Sequence, residues 1–257
     1  MILSKRAALG GVQLDELHES IVIQRVDPGT PQRNISAVAM MGGAGQRITG
    51  DHWETLDIIV EFGINLPKRQ MELRRQVFEM VTAWALRGGW LTVNWMPNRR
   101  VWVDRVELPN GGDMWEWTKT YTITFRAYSV PFWQDEMPAQ AVHQLITNGS
   151  VSIEVGGNVQ SVLDVSFQNR SGMTINNFRV SAGGNTLILS SMGLGGSETL
   201  NISHGTDGLL RITAGGRSVL DRRTGADDLY VLPGTNAVTI QSDRAGTLTV
   251  RSYGRYV

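Results

Sequence analysis

The chain contains no cysteine. That excludes disulfide staples and thiolate metal sites and leaves the redox compartment open. It carries no net charge either, since 24 Lys and Arg stand against 24 Asp and Glu. A polyanionic partner is therefore not written into the overall balance, so neither specific nucleic-acid binding nor membrane anchoring is expected. Histidine is scarce: His18, His52, His143 and His204 each stand alone. A zinc site would have to gather ligands from distant loops, and no metal or cofactor is expected. No apolar run approaches the ~18 residues of a membrane helix. Asp15, Glu16, His18 and Glu19 interrupt the stretch from Met1 to Val26, so no signal peptide is expected and synthesis in the cytoplasm is. Catalytic signatures are missing as well. There is no Gly-x-Ser-x-Gly elbow. The segment Gly42-Gly43-Ala44-Gly45-Gln46-Arg47 lacks the Gly-Lys-Ser/Thr ending of a phosphate loop, and no helix pattern follows it. The pairs Asp135-Glu136 and Asp227-Asp228 read as solvated loop acids, because glycosidase chemistry needs two carboxylates held across a cleft. The reading is of a protein that is not an enzyme.

What is present is a foldable chain of 257 residues, 41% apolar, with 29 glycines and 8 prolines. That composition suits short strands joined by tight turns and does not suit disorder. All eight tryptophans (Trp53, Trp84, Trp90, Trp95, Trp102, Trp115, Trp117 and Trp133) fall in the first 133 residues, and the remainder is rich in Gly, Ser, Thr and Asn. Two different cores are implied, hence two domains, 1–133 and 134–257. The boundary falls in the segment from Val130 to Pro138, where Pro131 and Pro138 limit regular structure.

In the first half one helix is expected. Pro67 suits a first turn, and Leu73, Val77, Met80, Val81 and Trp84 recur at helical spacing. Gly88-Gly89 supplies a left-handed stop. Strands are expected at Ser20–Val26, Asn34–Met40, Leu56–Ile64, Leu91–Trp95, Val101–Leu108 and Trp117–Tyr128, with Gly42-Gly43-Ala44-Gly45 as a hairpin loop. The second half shows short strands at regular spacing, starting near Thr147–Ser150. Gly156-Gly157, Gly183-Gly184, Gly195-Gly196 and Gly215-Gly216 divide them. Its last two strands are read as Ala237–Gln241 and Thr247–Tyr253. This spacing is the pattern of an antiparallel sandwich or jelly roll. The fold class is thus mainly β: an N-terminal β-sandwich or barrel-like domain with one helix and a hairpin, then a C-terminal β-sandwich.

Several residues are candidates for contacts between chains. Lys68, Arg69, Arg74, Arg75 and Arg87 follow the helix with Glu72 and Glu79 interspersed. They read either as a solvated face or as a subunit contact, where arginine is favoured for its forked donors. Trp115 and Trp117 share one face of a strand, either a buried face or a contact. The hairpin loop residues Gly42, Gly43 and Gly45 with Arg47 complete the set, and Lys68 and Arg75 represent the helix.

The order of these features resembles the distal tail protein family of long-tailed bacteriophages. In the first half the resemblance rests on a strand, a Gly-rich hairpin loop, the strand Leu56–Ile64, and a helix ending in Gly88-Gly89-Trp90-Leu91. It continues through the closing phrase Phe125-Arg126-Ala127-Tyr128-Ser129-Val130-Pro131-Phe132-Trp133. In the second half it rests on Thr147-Asn148-Gly149-Ser150, on Leu232-Pro233-Gly234-Thr235-Asn236, and on the end Arg251-Ser252-Tyr253-Gly254-Arg255-Tyr256-Val257. The resemblance implies a homo-oligomeric ring, usually hexameric, at the tail tip of the virion. Its first domain would form the ring, with the tail tube protein on one side and the tail-tip hub on the other. Its galectin-like second domain would project outward towards a receptor-binding protein or fibre. DNA would pass through the ring without being gripped. A competing reading takes the galectin-like half as a carbohydrate-binding module for host-surface glycans, but residues 134–257 lack the tryptophan that sugar stacking in such modules relies on.

Overall fold

The computed structural model describes residues 6–39, 46–109 and 120–257. The chain divides into two compact units, Met1–Trp133 and Gln134–Val257, and it is mainly β, with one α-helix among the described residues.

The first unit runs β1 (Ala7–Leu9), β2 (Val12–Gln13), β3 (Ile21–Asp27), β4 (Arg33–Ala39), β5 (Gln46–Trp53), β6 (Leu56–Ile64), α1 (Met71–Ala85), β7 (Gly89–Val93), β8 (Arg99–Val103), β9 (Arg105–Glu107) and β10 (Tyr121–Ala127). One antiparallel sheet has the order β3-β6-β10-β9 and a second contains β2-β1-β7-β8. The alternation that marks β6 in the sequence is its burial pattern. Leu56, Ile58, Val60 and Phe62 are fully buried, as are Ile123, Phe125 and Ala127 of β10, with Tyr121 nearly so. The two strands pair with Phe125 opposite Ile58, so their inward side chains form one apolar surface. Helix α1 covers it. The Trp84 ring meets Phe125 edge-on at 5.7 Å, and Phe78 meets Tyr121 at 5.3 Å.

The helix departs from expectation at its start and in its rotation. Pro67 has ψ 151 and precedes a 3-10 turn, Lys68–Gln70, so the α-helix begins only at Met71. Its inward stripe is Arg74, Val77, Phe78, Val81, Trp84 and Ala85. Met80, read as inward, is 38% exposed. Arg74, read with the basic outer face, is buried, and its guanidinium donates to the carbonyls of Ile64 (2.8 Å) and Leu66 (3.3 Å). A buried cation persists here because it satisfies backbone acceptors in the loop that follows β6. The helix stop is where the glycines place it, with Gly88 at φ +62 and Gly89 at φ +115.

The segment Val101–Leu108, read as one strand, is two strands in two different sheets. The chain steps between sheets at Asp104, whose carboxylate accepts from the backbone N–H of Tyr128 (2.7 Å) and Ser129 (2.8 Å). A short strand, β11 (Trp133–Asp135), marks the border of the two units.

The second unit runs β12 (Ala139–Val155), β13 (Ser161–Val162), β14 (Asp164–Asn169), β15 (Phe178–Ala182), β16 (Asn185–Leu189), β17 (Thr199–His204), β18 (Leu210–Ala214), β19 (Arg217–Ser218), β20 (Arg223–Gly225), β21 (Tyr230–Val231), β22 (Gly234–Ser252) and β23 (Arg255–Tyr256). The strand series begins at Ala139, ahead of the Thr147 expected, and the last two expected strands are one. Strands β12 and β22 pair along their length. Near its C-terminal end β22 also pairs with β14, and near its N-terminal end with β15. One long hairpin therefore belongs to two layers: β19-β18-β17-β14 continues from one half of β22, and β15-β16-β20 from the other. The bend lies where the β12–β22 register shifts, between His143 and Asn148, with Leu145 at φ +52. Strands that change layers through such bulges make the corners of a sandwich. Gly246 allows the turn, because a Cβ there would stand 2.4 Å from the Phe167 ring and 2.5 Å from the Gln168 carbonyl. Between the layers Phe167 of β14 meets Phe178 of β15 at 5.0 Å, inside a continuous buried cluster that includes Leu187, Leu200, Ile240 and Leu248. This is the β-sandwich that the strand spacing implied.

Candidate assembly surface

The most exposed regular structure in the first unit is the β4–β5 ribbon. It is a sheet of two strands alone, paired from Arg33 opposite Trp53 to Ala39 opposite Gln46. Alternation puts Ile35, Ala37 and Ile48 on one face and Val38 and Arg47 on the other. Ile35 is 49% exposed, Val38 58% and Ile48 60%. A two-stranded ribbon is marginally stable in water without a further layer. Ile35 and Ile48 leave apolar surface uncovered on one face of it, and Val38 does so on the other. Its foot is fastened: Arg33 is paired with Asp51, Asn34 donates to Glu54 at 2.9 Å, and the Trp53 ring meets Phe132 edge-on at 5.6 Å.

At this foot lies a cleft of about 740 Å³ whose lining includes Asp27, His52, Trp53, Glu54, Asp57 and Tyr128. One wall is the turn Asp27-Pro28-Gly29. The Asp27 carboxylate accepts from the Gly29 N–H at 3.1 Å, and the Trp133 indole N–H donates to the Pro28 carbonyl at 3.0 Å. Gly29 sits at φ +65, and a Cβ on it would stand 2.0 Å from the Asp57 carbonyl oxygen. Glycine is required twice over, by the backbone conformation and by the close approach. Gly29→Ala is expected to destabilise the chain by about 2–4 kcal/mol, read as a lowered melting temperature; an unchanged transition would refute this account of the turn.

Of the candidate contact residues, Arg47 is exposed on β5. Lys68 opens the 3-10 turn before α1. Arg75 lies on the outer side of α1 between Glu72 (2.5 Å) and Glu79, and these hydrogen bonds raise its already high pKa. Gly42, Gly43, Gly45, Trp115 and Trp117 lie outside the described residues. The structure brings Arg47 onto the same ribbon that Gly42, Gly43 and Gly45 interrupt in sequence. Lys68 and Arg75 lie on two further elements, the 3-10 turn and α1. The acidic cleft was not legible in the sequence, because Asp27, Glu54 and Asp57 are scattered among ordinary surface carboxylates.

A second cluster lies in the second unit. His204, read as one of four isolated histidines, is almost fully buried, and both ring nitrogens meet carboxylates: Nδ1 to Asp164 at 2.9 Å and Nε2 to Asp228 at 2.6 Å. Asp228, read with Asp227 as a solvated acid, is instead part of this bridge. Asp227 is the solvated member, paired with Arg223 at 2.9 Å. Burial lowers the His204 pKa, but the hydrogen bonds and charges of Asp164 and Asp228 outweigh it and bring it to about 9. Tyr230 beside it is pushed up, first by burial and then by the Asp228 charge. The bridge ties the start of β14, the end of β17 and the approach to β21. No group of three His, Asp or Glu among the described residues is arranged to hold a metal ion.

The chain shares its fold with a phage hub protein. Superposition on the SPP1 Dit (gp 19.1) protein, described as a paradigm of hub adsorption apparatus in Gram-positive infecting phages, gives a TM-score of 0.66 at 11% identity, covering 98% of this chain and 99% of that one. Chains of the phage p2 baseplate in its activated conformation, with Sr and with Ca, superpose with TM-scores of 0.49 and 0.48 at 9% and 10% identity, covering 97% of this chain and 97% and 98% of theirs. No family profile and no curated protein sequence matches the chain.

Proposed function

We propose that this chain is the hub protein of a phage tail tip, and that its first unit assembles into a ring. The ring, hexameric by the family resemblance, joins the tail tube on one side to the distal hub and receptor-binding apparatus on the other. The observation that carries this reading is the fold likeness to SPP1 Dit over nearly the whole of both chains. The ribbon supports it independently: a lone two-stranded sheet with exposed Ile35, Val38 and Ile48 gains stability when a second chain covers it. A closed ring needs two different patches on each copy, and the ribbon with Arg47, the helix with Arg75 and the turn before it with Lys68, and the segment with Trp115 and Trp117 supply candidates. Balanced charge limits repulsion between copies and suits a channel that lets DNA pass.

Light scattering on the purified chain, alone and with the tail tube and hub proteins, tests this. Closed rings of fixed stoichiometry are expected in negative-stain images. A strictly monomeric chain at high concentration and beside both partners would end the ring reading.

A further inference from the structure

We propose that the acidic cleft at the foot of the β4–β5 ribbon is the socket for Arg47 of a neighbouring copy. The proposal rests on the ring reading above and names the two patches that meet. The cleft lining carries three carboxylates, Asp27, Glu54 and Asp57, and no Lys or Arg. Two of these acids are shared with cations outside the lining: Asp27 with Arg25 at 2.8 Å and Asp57 with Arg126 at 3.4 Å. Among the described residues the Glu54 side chain is paired with no cation and receives a neutral donor, the Asn34 amide at 2.9 Å, and so keeps its charge available. The Trp53 ring beside it carries the guanidinium of its own chain's Arg33 at 5.9 Å, so the carboxylate of Glu54 is the group left for an incoming cation. A carboxylate suits a guanidinium, which donates in a planar fork.

The same ribbon carries the matching group. Arg33 and Asp51 close on each other, whereas Arg47 is exposed towards the far end, across from Val38. Trp53 stands six positions along the extended strand from Arg47, about 20 Å at the rise of a β-strand. That is well beyond the reach of an arginine side chain, so Arg47 cannot fill the cleft of its own chain. The span that keeps it out of its own cleft carries it onto the next copy. The contact is head to tail: arm end of one chain, arm foot of the other, two unlike patches that can repeat around a closed ring. The cation is thus assigned to a second copy of this chain.

Charge reversal on the full-length chain tests this, with light scattering at fixed concentration as the readout. Arg47→Glu and Glu54→Arg change exposed residues. Each alone should leave the melting temperature close to wild type and weaken ring association by roughly tenfold or more. A 1:1 mixture of the two variants should form rings again, because every junction in an alternating ring then pairs opposite charges. The chain carrying both substitutions should likewise recover to within about threefold of wild type. Single variants that assemble like wild type would overturn the proposal. So would a mixture and double variant that stay dissociated. If wild type itself never forms a ring, the ring reading falls and this contact with it; if wild type forms rings that ignore these substitutions, only the Arg47 socket falls.

Discussion

His204→Leu is expected to destabilise the second unit by about 3–5 kcal/mol, because it leaves two partly buried carboxylates without their shared cation. The side chain of His204 is 5% exposed, and those of Asp164 and Asp228 are 27% and 16% exposed. Neither ring nitrogen can accept from a carboxylate, so both contacts are satisfied only by the imidazolium. Its folded pKa of about 9 stands above the ordinary 6.5. A raised folded pKa contributes stability that is complete below the unfolded value and is lost as pH rises through the folded one. The contribution, at most on the order of 3 kcal/mol, is therefore full below pH 6.5 and gone above about pH 9. The groups facing His204 are Asp164 and Asp228, and those carboxylates in turn interact with Arg255 and, at Asp228, with Tyr230. Calorimetry from pH 6 to 10 should show the wild-type melting temperature falling across that window, with the leucine variant lower throughout and flatter. Equal slopes in the two proteins would show that the imidazolium does not hold this corner.

That bridge also marks where sequence reading stops. Asp164, His204 and Asp228 are 40 and 24 residues apart, and no local spacing connects them. The strand β6 was legible to the residue, because its inward side chains are apolar and Asn65 and Pro67 follow its end. The end of α1 was legible for a similar reason: Gly88 and Gly89 take backbone conformations that other residues avoid. Arg74 was not, since an arginine that caps two carbonyls looks in sequence like one that faces water. Nor was the continuity of β22. Its Ser242-Asp243-Arg244-Ala245-Gly246 reads as a turn, and only the pairing of β12 shows that the strand bends through it. The ribbon was legible as a hairpin, but that Ile35, Val38 and Ile48 on it stay uncovered among the described residues is a property of the folded chain. The candidate contacts divide along the same line. Arg47 could be picked out by position, whereas its proposed socket is assembled from three segments that the sequence does not relate.

Trp84→Ala is expected to have the largest effect of any single substitution in the first unit, a loss of about 3–5 kcal/mol. The side chain is 1% exposed. It joins three parts of the unit: it projects from α1, meets Phe125 of β10 edge-on at 5.7 Å, and donates from its indole N–H to the Val12 carbonyl at 2.9 Å. Truncation removes the ring contact, opens a cavity under the helix and strips the Val12 carbonyl of its donor. Trp84→Phe separates these terms. It keeps an aromatic ring under the helix and loses the donor with part of the volume, so a smaller loss, about 1–3 kcal/mol, is expected. Trp95→Ala is the control, since Trp95 is 52% exposed and its loss should stay near 0.5 kcal/mol. Denaturant melts of the three variants should rank alanine at 84, phenylalanine at 84 and alanine at 95 in falling order of damage. A Trp84→Phe variant as unstable as Trp84→Ala would mean that the hydrogen bond to Val12, rather than packing against Phe125, fixes the helix to the sheet. The same series bears on assembly. The ribbon foot rests on Phe132 in the same unit, so the proposed rings should persist in the phenylalanine variant below its melting point and vanish in the alanine variant only with the fold itself.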